Sequence, residues 1–425
     1  MRKRFPVPPF RWKENRAPRL AAAFAMLLFA EPMREFSPVA AFWTTPCILL
    51  ASVLIAWGAE AAQFFIAQGF ALAILAWLQT LPEFAVEAVL AWHQQRDLLL
   101  ANLTGALRLL TGLAWPVIYA TAAVFYRRRT GKRLGYIQLD PHHSIEVLAL
   151  TIPLLYAFFI WGKGNLHIYD AVVLALIYTC YLVMLTKLPP EGREGVEDLE
   201  RIPRAIVTAP RLWRNVAIVG FFLAGGLLIY FTAEPFLGSL IALAGAIGIP
   251  SFIMVQWLAP VVSEFPELAS TFYFARQPEK APVALMNIVS SNINQWTLLV
   301  GMLPIVYSMG GGHVSAITFD AEQETELLLT IAQSLVALVF LFNMKFHWWE
   351  ASVLFALYAV QVVFATSGSG TGTMAYLAHH VRFWVTAAYF VWAGIMVVMM
   401  VARRRLPEAV TGFQETWRTH VRSAT

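Results

Sequence analysis

Apolar residues run in long blocks along this chain, and the polar residues between them form short, often basic loops. A helix needs about 20 mostly apolar residues to cross a bilayer. By that measure the pattern predicts crossings at 18–34, 39–60, 64–93, 97–125, 143–162, 167–187, 214–246, 250–276, 281–309, 325–344, 347–366 and 382–402. No strand-period alternation long enough for a barrel occurs. The expected fold is therefore all-α, a polytopic membrane protein with 11–12 transmembrane helices. The block 18–34 is the shortest and follows a basic leader, so it reads either as a span or as a signal peptide.

Loop charge favours the span. With it, the clusters "MRKRF", "YRRRTGKR", "RIPRAIVTAPRLWR" and "ARRR" all fall on one side, as the positive-inside rule asks. Both termini are then expected in the cytoplasm, and the chain in a bacterial inner membrane. The polar segment 188–213 is too short for a folded domain and reads as a linker. It divides the chain into a basic N-terminus at 1–17 with a first membrane half at 18–187, and a second half at 214–366. A loop and an additional helix at 367–402 and a tail at 403–425 complete the division.

Composition agrees. The chain is 59% hydrophobic and 13% charged, against about 25% charged in a soluble domain. The formal net charge of +5 is scattered over loops, which fits lipid contact and not nucleic-acid binding. Cys47 and Cys180 both lie in apolar blocks, so neither a disulfide framework nor a zinc site is expected. The histidines of "HHS" at 142–144, with His347, His379 and His380, lie near span ends without three spaced ligands on one element, and no metal role is expected for them. "SGSGTGT" at 367–373 lacks the strand-to-helix context of a phosphate loop. Asp170 and Glu350 fall at helix starts, where acids are ordinary. No paired acidic metal motif, nucleophile elbow or zinc motif appears, and no enzymatic activity or bound cofactor is expected.

An internal repeat carries the chemistry. "LPEFAVEAVLA" (81–91) precedes "ANLTGALRLLTG" (101–112), and "FPELASTFYFA" (265–275) precedes "MNIVSSNINQWTLLVG" (286–301). Pro82-Glu83 aligns with Pro266-Glu267 at an offset of 184, and Asn102 with Asn287 at 185. "AEP" also recurs, at 30–32 and 233–235. An odd number of crossings, five, separates the two glutamates, so the copies enter the membrane from opposite faces. Inverted repeats with interrupted helices build transporter sites near the midplane. Proline breaks the helix, and the glutamate after it sits at the break. A carboxylate there is costly unless it binds a cation, pairs or takes a proton. Asn287, Ser291, Asn294 and Gln295 form one helical stripe, either interhelical glue or a lining of the same site.

These residues resemble the alpha-repeats of the cation/calcium exchanger superfamily, which includes sodium/calcium exchangers. That family carries a "GTSLPEL" element and then a helix like "GNVVGSNIFNILLVLG", once per half. Here the elements are "LQTLPEF" and "VSEFPEL", each followed by its helix. The resemblance covers about 64–125 and 214–309, with the second alpha-repeat itself at about 250–309. It implies two inverted repeats of about five helices. It also implies an antiporter that exchanges calcium or a related cation for sodium or protons by alternating access, so that inorganic cations and the bilayer are the partners.

By the same resemblance, Glu83 and Glu267 match the calcium-ligating glutamates, and Thr80 and Glu264 match the serine before the proline. Ser291 and Gln295 match ligands on the following helix, with Asn102 and Asn287 nearby. The first repeat departs from the pattern, with Ala106 and Leu110 at the matching ligand positions. Arg108 and Glu87 add charge. Two readings of Arg108 stand: a tethered cation that pairs with a glutamate in place of a bound ion, or a side chain turned away from the site. The missing ligands also leave open a degenerate, non-transporting membrane sensor or partner protein.

Overall fold

The computed structural model describes residues 37–62, 64–65, 80–187, 196, 199, 201–367, 373–402 and 406–421. The expected span 18–34 and most of 64–79 lie outside the described residues. Among the described residues, eight helices are long and apolar enough to cross a membrane. Shorter pieces continue the expected spans at 64–93 and 250–276.

The first half contains α1 (Ala41–Ala62), α2 (Leu81–Trp92), α3 (Arg96–Leu109), α4 (Trp115–Thr130), α5 (Ser144–Ala149), α6 (Thr151–Lys163) and α7 (Ile168–Leu185). After α8 (Arg201–Thr208), the second half begins with α9 (Arg211–Ile247). It continues through α10 (Ser251–Trp257), α11 (Ala259–Ser263), α12 (Phe265–Ala275), α13 (Ala281–Asn294), α14 (Val300–Gly311), α15 (Ala321–Leu341) and α16 (Trp348–Ser367). Two more helices follow, α17 (Thr373–Ala402) and α18 (Glu408–Thr416). The expected single span at 250–276 is thus three short helices. Pro260 and Pro266 each stand in the first turn of a new helix, where a missing N–H costs nothing.

The halves interlock. Strand β1 (Tyr136–Gln138), after α4, pairs antiparallel with β4 (Lys345–His347), after α15. Strand β2 (Asn165–Leu166), after α6, pairs with β3 (Ile317–Thr318), after α14. Each half therefore lends one strand to each small sheet. The pairing satisfies loop backbone groups next to the hydrocarbon region. The caps repeat as well. The His167 N–H donates to Asp170 Oδ2 at 2.7 Å, and the His347 N–H to Glu350 Oε2 at 2.6 Å, 180 residues later.

Burial separates core from rim. Helix α15 and the α3–α4 rod are the most enclosed of the long helices, while α9 and α17 keep most of their apolar side chains outward. Leu212, Leu223, Val397 and Val398 are exposed in this way, as lipid contact requires. Helices α1 and α9 run against each other, and Thr44 Oγ1 meets Ser239 Oγ between them at 3.1 Å.

One close crossing ties α3 to the broken segment. Pro260 has no N–H to bond the carbonyl of Gln256, and that carbonyl lies against Gly105. A Cβ at Gly105 would stand 1.9 Å from Gln256 O. Gly105→Ala must therefore push two backbones apart, at a cost of about 1–3 kcal/mol. A lowered thermal-denaturation midpoint in detergent is expected for Gly105→Ala. No such loss is expected for Gly394→Ala, where nothing lies within 4 Å of the new methyl.

Candidate cation site

Two helices begin with a proline at matching places. Thr80 caps α2 and Glu264 caps α12, and each cap carbonyl accepts from the residue four on, Phe84 N–H and Leu268 N–H, both at 3.0 Å. Glu83 and Glu267 fall in the first turns of these helices. The unsatisfied N–H groups of a first turn favour a negative charge there. Proline position and helix start thus place the same carboxylate in both repeats.

All four glutamates here, Glu83, Glu87, Glu264 and Glu267, are almost completely buried. Gln295 joins the two repeats, because its Nε2 donates to Glu83 Oε2 at 2.7 Å and to Glu264 Oε1 at 2.6 Å. Glu264 also stands beside Glu267, and Ser291 faces Glu267. Asn294 Nδ2 donates to Thr80 Oγ1 at 2.6 Å, a second bond between the halves. Asn102 Nδ2 donates to Glu87 Oε1 at 2.9 Å, one turn along α2. Glu83 Oε1 and Gln295 Oε1 are buried oxygens with no hydrogen-bond partner among the described residues.

No lysine or arginine pairs with any of these glutamates among the described residues. Clustered carboxylates without a base are stable inside hydrocarbon only with a cation or with protons. The carboxylate, amide and hydroxyl oxygens match the donor set of a hard cation such as calcium, which takes six to eight oxygens. The structure thus brings Thr80, Glu83, Glu264, Glu267, Ser291 and Gln295 to one place. Glu87 and Asn102 form a pair beside it. Asn287 is half-buried and takes no part in the bonds to the carboxylates.

The lining is lopsided. At an offset of 185, Ser291, Asn294 and Gln295 correspond to Ala106, Leu109 and Leu110, all buried. Neutral ligands on this pair of helices therefore come from α13 and the turn after it. Both helices nonetheless carry a π-helical turn at the same place, Leu110–Ala114 and Gln295–Leu299. Such turns are frequent at functional sites. In the second repeat Thr271 stands where Glu87 stands in the first, and its hydroxyl donates to the Glu267 carbonyl at 2.7 Å.

Arg108 meets none of the four carboxylates. Its Nη2 lies 2.7 Å from Glu326 Oε2 on α15, and its Nη1 donates to Gln361 Oε1 at 3.2 Å. The guanidinium also lies 5.1 Å from the centre of the Trp257 ring. Glu326 accepts from Gln256 at 2.9 Å and pairs with Arg382 of α17 at 3.1 Å. Glu87 bonds Asn102 and not Arg108, which projects from a different face of α3. Sequence reading did not single out Glu326. Its signal was Glu146, which occupies the matching place in the first repeat, 180 residues earlier.

Removing one member of a buried ion pair leaves the other charge uncompensated, at about 3–5 kcal/mol. Glu326→Gln is expected to destabilise more than Arg108→Gln, because Glu326 keeps Arg382 while Arg108 has no second carboxylate among the described residues. The double variant is expected to lose less than the sum of the singles by more than about 1 kcal/mol, read from denaturant titration in detergent.

The family described as sodium/calcium exchanger protein matches residues 37–187 and 217–367, which takes in both repeats. The crystal structure of the H+/Ca2+ exchanger CAX is 31% identical, covers 95% of this chain and 98% of its own, and superposes with a TM-score of 0.79. Native YfkE (14% identical, 82% of this chain and 98% of its own, TM-score 0.55) shares the fold. So does the sodium-calcium exchanger NCX_Mj (20% identical, 77% and 97%, TM-score 0.51). No curated protein matches in sequence. With both repeats matched and the fold shared along nearly its whole length, the chain belongs to the sodium/calcium exchanger protein family.

Proposed function

We propose that the protein is a secondary-active antiporter that moves calcium or a like divalent cation across the membrane in exchange for protons. The observation that carries this is the Gln295 amide held between Glu83 of one repeat and Glu264 of the other, with Glu267 beside them. A cation held there is bound by both halves at once. Rocking one half against the other would then open the site to either side in turn, the usual logic of inverted-repeat transporters.

Two considerations favour protons over sodium as the counter-ion. The lining offers many carboxylates and few neutral ligands, since Ala106 and Leu110 supply none. Carboxylates vacated by a divalent cation can each take a proton, which keeps the buried charge nearly constant without new ligands. The relative at 31% identity is described as an H+/Ca2+ exchanger.

The test is calcium flux into proteoliposomes, driven separately by an outward proton gradient and an outward sodium gradient. Uptake under the proton gradient is expected, and Glu267→Gln is expected to reduce it about tenfold or more. Uptake under sodium alone would replace the counter-ion. No uptake under either gradient, from protein that is folded and reconstituted, would overturn antiport and favour a non-transporting sensor or partner protein.

A further inference from the structure

A second group of ligating side chains lies outside the carboxylate cluster, at the turn between β1 and α5. The segments "LDPHHSIE" (139–146) and "FDAEQETE" (319–326) occupy the same place in the two repeats, 180 residues apart. In the second copy the aspartate is used as a helix cap. The Gln323 N–H donates to Asp320 Oδ1 at 2.9 Å, and the Asp320 N–H to Gln323 Oε1 at 3.0 Å. In the first copy His143 replaces that glutamine, and Asp140 makes no side-chain cap bond. Its carboxylate lies with the imidazoles instead. One ligand atom each from Asp140, His142 and His143 falls within 4.8 Å of the other two.

We propose that Asp140, His142 and His143 bind a divalent transition-metal ion of the zinc type, separate from the transported cation. Tetrahedral ligands about 2.0–2.1 Å from a metal stand roughly 3.3 Å apart. Small side-chain rotations close the gap from the present spacing. Two imidazoles and one carboxylate suit zinc, cobalt or nickel, whereas calcium asks for an all-oxygen shell. The ligand set leaves a fourth position for water or an exogenous donor.

The surroundings fit a built site. His143 is buried, and its Nδ1 lies 3.8 Å from Glu146 Oε1, itself nearly buried. At that distance the carboxylate acts through its charge, which favours a cation beside the ring. Asp140 and Glu146 together balance the two charges of the ion. Helix α18 pins the turn from the other side. A Cβ on Gly412 would stand 3.3 Å from Pro141 O and 3.3 Å from Ser144 Cβ. Ala409 of the same helix is fully buried, and its N–H donates to Phe342 O at 3.0 Å. Asp140 is exposed, which leaves an entry path. The sequence raised no expectation of a metal here, because adjacent histidines lack ligand spacing on a helix. The turn, not a helix, brings Asp140 to them.

The test is zinc binding to the purified full-length protein, prepared without a polyhistidine tag and in excess calcium to occupy oxygen-rich sites. One zinc per chain is expected, and cobalt in its place should give the visible absorption of a tetrahedral site. Zinc should also raise the thermal midpoint. His142 is only partly buried, so His142→Gln should fold normally and bind zinc about tenfold or more weakly. Asp140→Asn should do the same, while His313→Gln, at an exposed histidine elsewhere, should change nothing. Zinc affinity and cobalt spectrum unaltered in both His142→Gln and Asp140→Asn would overturn the proposal, as would no zinc bound by the unaltered chain.

Discussion

Negative charge buried in hydrocarbon must be balanced, and much of this molecule is arranged around that requirement. Four glutamates lie buried where the two repeats meet, with no basic side chain bonded to them among the described residues. Two helix starts put them there. Each has a proline in its first turn, so the glutamate that follows lands among unsatisfied N–H groups. The amide of Gln295 and the hydroxyls of Thr80 and Ser291 complete the surroundings with groups that can turn toward a cation or toward a protonated acid. On the proposed reading, the cargo and the counter-ion are alternative solutions to one electrostatic problem.

The second buried ionic group solves the same problem internally. Arg108 and Arg382 are compensated without an ion by Glu326 and Glu322, supported by Gln256 and Gln361. This group links α3, α10, α15 and α16 to α17, a helix beyond the two repeats. The helix is therefore keyed to the core by charge. At the matching place in the first repeat, Glu146 stands beside a histidine, and no arginine among the described residues reaches it.

Local features were legible in the sequence, and distant pairings were not. Proline followed by glutamate is a local signal, and its recurrence at an offset of 184 located Glu83 and Glu267 with their matched helix starts. The apolar blocks gave the long helices to within a few residues, because lipid burial acts on every residue of a span. The division of 250–276 into three helices was only partly visible. Proline marks a break, but which carbonyls stay unbonded depends on the α3 crossing at Gly105. The partner of Arg108 could not be read locally, since Glu326 lies on a helix of the other repeat. The strand pairs are two or three residues long and join opposite halves, so no periodicity announces them. Helix α18 has no apolar block of its own, and docking buries only Ala409 and Thr416 of it.

The most direct test of the central claim, that one cation is held by both repeats, is equilibrium binding of calcium to the purified protein and to two variants. Glu83→Gln and Glu267→Gln take one carboxylate from each repeat. The account expects each to weaken calcium binding about tenfold or more. Calcium binding that survives Glu83→Gln unchanged while Glu267→Gln abolishes it would contradict a shared site and confine the ion to the second repeat.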